Sequence, residues 1–364
     1  MSRAPSIFTL RRSIDRIDDR ILDLLNRRAA LVQRIGAAKA ASDAAVYDPA
    51  RERQLVQRLH RSNAGPLSNP QVDGIYREIL SVGRALQRKL RVSFFGPEGT
   101  YAHLAARAHF GDAVTFVSAP GIADVFADVE HGRADVGVVP VENSTEGMVA
   151  HTLDLLLASP LAITAEIALP VRHCLLARGD TALANVGRVM AHPQALAQCR
   201  RWVAGHLPGV ALVDASSNSR AAQLASEEAG TAAIAAAETA DTYGLEVLAE
   251  HIQDEAHNTT RFLVLSPSDC AQATGDDKTS ILLSVRDEVG VLVRMLQPFA
   301  THRIDLIKIE SRPLRERPWE YYFFLDLKGH RRESRVRRAL AEVEKRALRL
   351  RVLGSYPSAT EVSP

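Results

Sequence analysis

The 364-residue sequence predicts a multidomain protein: an all-α domain, then a two-lobed α/β domain, then a smaller α+β domain. Three patterns support this prediction. Apolar residues recur at helical spacing up to about residue 90, short apolar runs alternate with helical segments through the middle, and the C-terminal part reads β-α-β-β-α-β. A chain of this length exceeds one ordinary core, so two to three domains are expected.

Composition and charge narrow the functional class. Hydrophobic residues make up 46% and charged residues 24%, which argues against large-scale disorder. Lys plus Arg total 45 against 43 Asp plus Glu, so the net charge of +2 gives no general case for nucleic-acid or membrane binding. Three widely spaced cysteines and the lack of a secretory or membrane-spanning pattern indicate a cytoplasmic protein. The twelve histidines show no metal-ligand spacing, so no metal is expected.

The N-terminal domain, residues 1–90, is predicted to contain three helices. The first covers residues 8–41 and is amphipathic. At the helical rise it is on the order of 50 Å long, so its apolar stripe needs other helices or a second subunit. A second helix begins with Asp48 as N-cap and Pro49 in the first turn and runs to about His60. A third covers residues 71–89.

Cations along the first helix are spaced so that some can share a pocket. Arg28 and Lys39 are eleven residues apart, within roughly 20° of one helix face. Arg11 lies roughly 25 Å before Arg28 and faces about 100° away, so it can serve such a pocket only in another subunit. Taken singly, surface cations are more often simply solvated.

The set Leu10-Arg11, Arg27-Arg28, Lys39, Asp48-Pro-x-Arg51-Glu52 and Gln87 resembles the all-helical chorismate mutase family. The resemblance implies an intertwined homodimer that rearranges chorismate to prephenate without a nucleophile or proton transfer. Such a reaction needs restraint of the substrate and stabilisation of charge on the breaking ether.

The same resemblance implies roles for single residues. Arg11, Arg28 and Arg51 would contact carboxylates, Lys39 and Gln87 the ether oxygen, and Glu52, with the backbone near Asp48, the hydroxyl. Capping explains Asp48 equally well. Gly83 stands where the family often has Ser, so only its backbone can act there.

Residues 91–268 show the alternation of strands and helices typical of open α/β sheets. Four strand exits lead through polar loops into helices, where free amides and hydroxyls can bind carboxylates. Each exit alone fits a simple N-cap, but their recurrence favours a small anionic ligand between two lobes. The apolar runs cover residues 92–95, 114–117, 136–139, 163–168, 174–177, 189–191 and 210–213, and the exits are at residues 96–101, 142–147, 191–194 and 216–219.

Residues 257–262 place two hydroxyls, an amide and a guanidinium directly before an apolar strand. The strand at residues 262–265 is predicted to return the chain to the first lobe. Thr260 would then lie at the junction of the lobes, where ligands commonly bind in α/β proteins.

Five motifs in this region resemble the prephenate dehydratase family: Gly96-Pro-Glu-Gly-Thr-Tyr, Val139-Pro-Val-Glu-Asn-Ser, His192-Pro-Gln, Tyr243-Gly-Leu and residues 258–262. The resemblance implies a two-lobed fold like that of periplasmic binding proteins. It also implies loss of water and carbon dioxide from prephenate, giving phenylpyruvate, with no cofactor. Thr260 would act at the departing hydroxyl, and the other residues at the substrate would be Thr100, Asn143, Ser144, Thr145, Ser216, Ser217, Arg261 and Phe262.

Loss of hydroxide needs a proton donor. Thr is a poor free acid, so Thr260 is interpreted as a hydrogen-bond donor whose proton is replaced through neighbours or water. Arg261 either holds a substrate carboxylate or pairs with Glu142, and the sequence does not rank these alternatives. The family usually has a Ser near position 236, where this sequence has Ala, so no role in the site is assigned to Ala236.

After a polar linker, residues 279–356 give strands and helices in a ferredoxin-like order. The motifs Asp287-Glu-Val-Gly-Val-Leu and Glu310-Ser-Arg-Pro, followed by Pro318-Trp-Glu, resemble an ACT domain of the dehydratase type. The resemblance implies that L-phenylalanine binds there as an inhibitor. Val291 replaces the Ala common in the family, and the expected effector-binding residues are Gly290, Val291, Leu292, Glu310, Ser311, Arg312 and Pro313.

The sequence is therefore interpreted as a bifunctional enzyme of L-phenylalanine biosynthesis that uses chorismate and prephenate and is inhibited by L-phenylalanine. Two alternatives are an arogenate-preferring dehydratase and a non-catalytic amino-acid sensor with a vestigial helical segment. Neither a nucleic-acid nor a membrane partner is expected.

Overall fold

The structure is a computed structural model that describes residues 6–42, 44–270, 272–286, 288–313, 321–359 and 362. The N-terminal part consists of three helices, as predicted. Ser6 caps the first helix, and Asp48 caps the second by accepting a hydrogen bond from the Arg51 amide at 3.0 Å. The helices are α1 (Ile7–Ala41), α2 (Pro49–Ser62) and α3 (Asn69–Gln87).

Helix α1 packs against α3 but leaves most of its apolar stripe uncovered. Every residue of α1 is at least partly exposed. The stripe needs a partner beyond the helices of its own chain. The exposed apolar residues of α1 are Ile7, Phe8, Leu10, Ile14, Ile17, Ile21, Leu22, Leu24, Leu25, Leu31 and Ile35.

The first lobe is built on a six-stranded sheet of order β2-β1-β3-β11-β5, with β4 paired to β3. Strand β11 enters from the far end of the α/β region and lies antiparallel between β3 and β5, which confirms the predicted return of the chain. Its elements are β1 (Arg91–Phe95), α4 (Tyr101–Phe110), β2 (Thr115–Ala119), α5 (Ile122–Glu130), β3 (Val136–Asn143), β4 (Gly147–Met148), α6 (Ala150–Ala158), β5 (Ala162–Pro170) and β11 (Thr259–Ser266).

The second lobe is a five-stranded sheet of order β10-β6-β9-β7-β8. The chain crosses between the lobes twice, after β5 and before β11, and the crossings are tied by the hydrogen bond from the Val171 amide to the Asn258 carbonyl at 2.7 Å. The elements are β6 (Cys174–Ala177), β7 (Arg188–Ala191), α7 (Pro193–Gln198), α8 (Arg200–His206), β8 (Ala211–Asp214), α9 (Asn218–Glu227), β9 (Thr231–Ala235), α10 (Glu238–Tyr243) and β10 (Glu246–Ala249).

The C-terminal part has the predicted ferredoxin-like order and a sheet of order β13-β14-β12-β15. Asp287 and residues 318–320 of the sequence motifs lie outside the described residues. The elements are β12 (Asp277–Val285), α11 (Val291–Thr301), β13 (Leu306–Pro313), β14 (Tyr321–Lys328), α12 (Ser334–Glu344) and β15 (Arg349–Pro357).

One face of this C-terminal sheet packs directly on the first lobe. Leu282 and Phe324 share a hydrophobic core with Leu263 and Leu265 of β11. Strand β15 approaches β5 so closely that a Cβ at Gly354 would collide with the backbone of Ile163. Strand β11, which carries the predicted site residue Thr260, is therefore in contact with the C-terminal domain.

Candidate active sites

The first candidate site lies at the end of β11, where three predicted side chains meet. The Asn143 side-chain amide donates to Thr260 Oγ1 at 2.9 Å and to Asn258 Oδ1 at 2.8 Å. Asn143 Oδ1 accepts from the Thr145 amide and hydroxyl at 3.0 and 2.6 Å. Ser144 Oγ accepts from the Thr259 amide at 3.0 Å. These contacts give the Asn143 side chain one orientation.

The cluster continues through residues that the sequence analysis did not assign. Asn258 donates to Gln198 Oε1 at 3.2 Å, and His173 Nε2 lies 2.9 Å from the same oxygen. His173 Nδ1 lies 3.1 Å from the Tyr101 hydroxyl at the start of α4. Burial lowers the pKa of His173, although its hydrogen bond to Gln198 acts in the opposite direction. A polar network thus links Thr260 to both lobes.

Three of the four predicted strand exits lead to a helix capped by a side chain, whereas residues 142–147 turn back into β4 and α6 begins without a side-chain cap. Thr100 caps α4, and Ser217 caps α9 by accepting from the Arg220 amide at 3.0 Å, while Ser216 precedes it in the exposed loop. The loop before α4 touches the second lobe: Thr239 Oγ1 donates to the Gly99 carbonyl at 3.0 Å. Gly99 has φ +80°, and a Cβ there would meet Thr239 and Ser219 at 3.1–3.2 Å, so glycine permits this approach of the lobes.

Arg261 and Phe262 do not join the Thr260 cluster. The Phe262 side chain is 2% exposed and belongs to the hydrophobic core of the first lobe. The Arg261 guanidinium points toward the C-terminal sheet, with Nη1 2.7 Å from Asp326 Oδ2 and Nε 3.7 Å from Glu142 Oε2. Arg261 is thus in an ion pair, but its closest partner is Asp326 and not the predicted Glu142.

The second candidate site lies between α1 and α3. Arg28 Nη1 donates to the Ile79 carbonyl at 3.4 Å and lies 3.2 Å from where a Cβ of Gly83 would be. A side chain at position 83 would therefore crowd the guanidinium. Gln87 Nε2 donates to the Gly83 carbonyl at 3.3 Å, and Gln87 Oε1 is buried without a hydrogen-bond partner in the part of the chain described. Arg28, Gly83 and Gln87 thus come together as predicted.

The remaining predicted residues of this site are more dispersed. Lys39 Nζ donates to the carbonyls of Ala45 and Val46 at 2.8 and 3.0 Å. Arg11 and Arg51 are exposed. Because both side chains are exposed, they are accessible to a second subunit or a ligand.

Glu52 pairs with a buried cation close to the junction of the helical domain and the first lobe. Its two carboxylate oxygens lie 2.6 and 2.7 Å from Nη1 of Arg84, which is 3% exposed. Arg84 also donates to the Phe110 carbonyl at the end of α4, at 2.6 Å. Sequence analysis missed Arg84, because one basic residue in a helix carries no sign of a buried partner.

The same junction of domains buries a histidine. His109 Nε2 lies 2.6 Å from the Tyr47 hydroxyl. Burial, with a smaller contribution from the Arg84 charge, lowers the pKa of His109 to about 3. The folded protein therefore keeps His109 neutral, whereas an unfolded chain protonates it near pH 6.5.

This difference makes the junction acid-sensitive. Between pH 6.5 and pH 3 only the unfolded state gains the proton, so the free energy of unfolding should fall by up to about 1.4 kcal/mol per pH unit. Urea unfolding at pH 7 and pH 5 measures this. His109→Gln should lose much of the acid sensitivity, and the exposed His151→Gln should keep it. Equal acid sensitivity in the wild type and His109→Gln would contradict the assignment.

The predicted effector residues lie at one end of the C-terminal domain. Gly290, with φ +73°, precedes α11, where Val291 and Leu292 form the first turn. Glu310, Ser311, Arg312 and Pro313 end strand β13. Arg312 also pairs with Asp154 of α6 at 2.9 Å, so this end of the domain contacts the first lobe.

Within the described ranges, none of the helices is both long and apolar enough to cross a membrane. Among the described residues, no cluster of three or more His, Cys, Asp or Glu side chains could hold a metal ion.

Models of three known protein families match three consecutive segments of the chain. Family models match residues 10–88 (chorismate mutase type II), 92–270 (prephenate dehydratase) and 279–345 (ACT domain). A bifunctional chorismate mutase/prephenate dehydratase from Aquifex aeolicus is 44% identical over 354 residues, covering 96% of this chain and 97% of the relative.

Solved structures agree over the α/β and C-terminal parts. Prephenate dehydratase from Arthrobacter aurescens in complex with L-Phe is 36% identical with a TM-score of 0.69, covering 74% of this chain and 90% of that one. A structure described as a novel type of quorum quenching acylase is 30% identical with a TM-score of 0.69, covering 74% and 98%. The chain belongs to the bifunctional chorismate mutase/prephenate dehydratase family, and it is an enzyme with both activities.

Proposed function

We propose that this enzyme rearranges chorismate to prephenate in its helical domain, converts prephenate to phenylpyruvate between its two lobes, and is inhibited at the second step by L-phenylalanine. The hydrogen-bonded cluster of Thr260, Asn143 and Asn258 carries the proposal. The product of the first reaction is the substrate of the second, so one chain performs consecutive steps.

The orientation of Asn143 supports Thr260 as the group that assists loss of hydroxide. The Asn143 oxygen accepts three hydrogen bonds from residues 145 and 146, so its amino group is the end that faces Thr260. Because Asn143 donates to Thr260 Oγ1, the threonine's own hydrogen is left for another acceptor. A departing substrate hydroxyl is such an acceptor, and a donated hydrogen bond polarises the Thr260 hydroxyl toward giving its proton.

The cationic set between α1 and α3 supports the mutase assignment. A dicarboxylate held in a compact conformer needs guanidinium groups at its carboxylates and a point charge near the breaking ether. Arg28 lies close to Gln87's helix, and Lys39 is on the same face of α1 as Arg28. Restraint and charge stabilisation are the only requirements of a pericyclic step.

The uncovered stripe on α1 supports a homodimer. Phe8 is 70% exposed near the start of the 35-residue helix, and Ile35 is 51% exposed in its last third. A second copy of α1 is the natural cover, since symmetric dimers match a patch to itself. Such a pairing would bring Arg11 of one subunit to the pocket of the other.

L-Phenylalanine is proposed as the effector, bound near Gly290 and the end of β13. The ACT domain and the L-Phe complex of a related dehydratase support this assignment. Gly290 lacks a side chain where the backbone has positive φ, so a ligand can approach the first turn of α11. The first-turn residue Val291 is bulkier than the family's usual Ala, which predicts weaker binding than in relatives with Ala.

Incubation of the protein with chorismate is expected to yield phenylpyruvate, with transient prephenate, because both steps reside in one chain. Titration with L-phenylalanine should lower the rate of phenylpyruvate formation and leave chorismate consumption unchanged. D-Phenylalanine is the matched control. Accumulation of prephenate alone would contradict the second activity, and an unchanged rate with L-phenylalanine would remove the regulatory claim. Faster turnover of arogenate than of prephenate would favour the alternative substrate.

A further inference from the structure

The residue after Thr260 connects the dehydratase strand to the ACT domain. Successive side chains of a strand point to opposite faces, so Thr260 faces the lobe junction while Arg261 faces the C-terminal sheet. There, Arg261 Nη1 lies 2.7 Å from Asp326 Oδ2 on β14, and the two side chains are only 16% and 9% exposed. The pair spans the boundary between the domains.

The surroundings of Asp326 fix its carboxylate. Ser280 Oγ donates to Asp326 Oδ1 at 2.6 Å and lies 2.6 Å from the Tyr356 hydroxyl. Although burial alone would lower the pKa of Arg261, the neighbouring Asp326, Tyr356 and Glu166 raise it, so the guanidinium stays charged. Removing one partner of a charged pair in this environment would leave the other charge buried and uncompensated.

Besides the Arg312–Asp154 pair, two ion pairs cross the same boundary close to Arg261. Lys308 Nζ lies 2.5 Å from Glu142 Oε1, and Lys278 Nζ lies 2.6 Å from Glu166 Oε1. Both carboxylates therefore keep lysine partners if Arg261 is removed. Asp326 differs from these carboxylates because it is the closest to Arg261, at 2.7 Å, whereas Glu142 and Glu166 lie 3.7 and 3.8 Å from that guanidinium.

The ladder between β11 and β3 is irregular at this point. Arg261 pairs with Glu142, but Phe262 pairs with Pro140, so Val141 is skipped and β3 bulges. Beyond the bulge, the end of β11 is held to β3 by the Thr260–Asn143 and Arg261–Glu142 pairs and by the Ser144–Thr259 backbone hydrogen bond, while β5 pairs with β11 on its other side. Because a bulge bends its strand next to Asn143, a side-chain restraint at Arg261 adds to the contacts that set where Thr260 lies relative to Asn143.

We infer that Asp326 is a positioning residue for the dehydratase reaction: through its ion pair with Arg261, it holds Thr260 against Asn143. The ACT domain thus contributes to dehydratase turnover even without an effector. An effector that shifts β14 would move Thr260 by the same contact. This inference rests on the proposed role of Thr260 and extends the proposed regulation.

The test is the Asp326→Asn variant of the full chain, assayed with prephenate and with chorismate. The dehydratase kcat should fall about tenfold, with KM within about twofold and mutase turnover unchanged, because a small misplacement costs turnover more than binding. The control is Arg351→Met. Arg351 donates to the Leu156, Ser159 and Leu161 carbonyls at the same interface without touching β11, so its dehydratase kcat should stay at the wild-type value.

A double variant separates positioning from stability. Arg261→Met with Asp326→Leu removes both charges, while Glu142, Glu166 and Ser280 keep their other partners. Replacing a buried pair by apolar residues is often neutral for folding. The double variant should therefore unfold near the wild-type temperature but retain a low dehydratase kcat.

Either of two results would overturn the inference: wild-type dehydratase kcat in Asp326→Asn, or recovery of kcat together with stability in the double variant. Failure of the proposed function looks different. If Thr260→Ala kept its dehydratase turnover, the catalytic role of Thr260 would fail. If L-phenylalanine left the wild type unaffected, regulation alone would fail, and the kcat comparisons would still decide the role of Asp326.

Discussion

Replacing Thr260 with Ala is expected to lower dehydratase turnover by about 10²- to 10³-fold, within the range for loss of a positioned proton donor. The Asn143 amide would remain, held by Thr145 and Glu146 and still donating to Asn258, but would lose the Thr260 hydroxyl as an acceptor. Mutase turnover should not change, because the hydrogen-bonded network described around Thr260 and Asn143 contains residues of the two lobes and none of the helical domain. Separate assays with prephenate and chorismate measure the two rates.

Thr259→Ala is the matched control, since it removes a neighbouring hydroxyl while the Thr259 backbone keeps its bonds to Ser144. This control should retain dehydratase turnover. Thr260→Ser, which restores a hydroxyl, should recover part of it. Equal losses of both activities in Thr260→Ala would indicate a folding defect instead of a chemical role.

The Thr260 cluster was largely predictable because its members lie in local motifs. Asn143 follows an apolar run and Thr260 precedes one, and in an antiparallel pair the end of one strand lies beside the start of the other. Gln198 and His173 were not predictable in this way. They reach the cluster only because the two crossings between the lobes are held side by side, a tertiary contact with no local signal.

Arg261 shows a different limit. It was expected beside Thr260 at the substrate, although strand alternation puts neighbouring side chains on opposite faces. The sequence could not identify Asp326 as its partner, because the two residues lie in separate domains and pair only when the ACT sheet packs on the first lobe. Glu52 and Arg84 illustrate the same limit within the helical domain.

The helices and strands were predicted better than the contacts between residues distant in the sequence. Strand β9, at Thr231–Ala235, was missed because its short Ala-rich run fits a buried helix equally well. Helix α3 begins two residues earlier than predicted because Ser68 and Gln71 form a capping box. Both differences arise from local signals that compete with apolar periodicity.

Arg11→Ala is expected to lower mutase turnover by about 10²- to 10³-fold while leaving dehydratase turnover intact, because one cationic group that stabilises the transition state is lost. Arg11 is exposed on a helix whose apolar stripe is uncovered, so any pocket that it serves should belong to a second copy. Arg12→Ala, which removes the neighbouring cation, is the control and should retain mutase turnover.

Mixing subunits tests whether the site is shared. Arg28→Ala should also abolish mutase turnover, because Arg28 lies in the pocket of its own subunit beside Gly83. In a heterodimer of the Arg11→Ala and Arg28→Ala chains, one pocket carries both changes and the other carries neither. Random reassembly makes half of the dimers mixed, each with one intact pocket, so about a quarter of wild-type mutase turnover should return. Each variant reassembled alone should stay inactive. If the mixture also stays inactive, Arg11 does not cross between subunits.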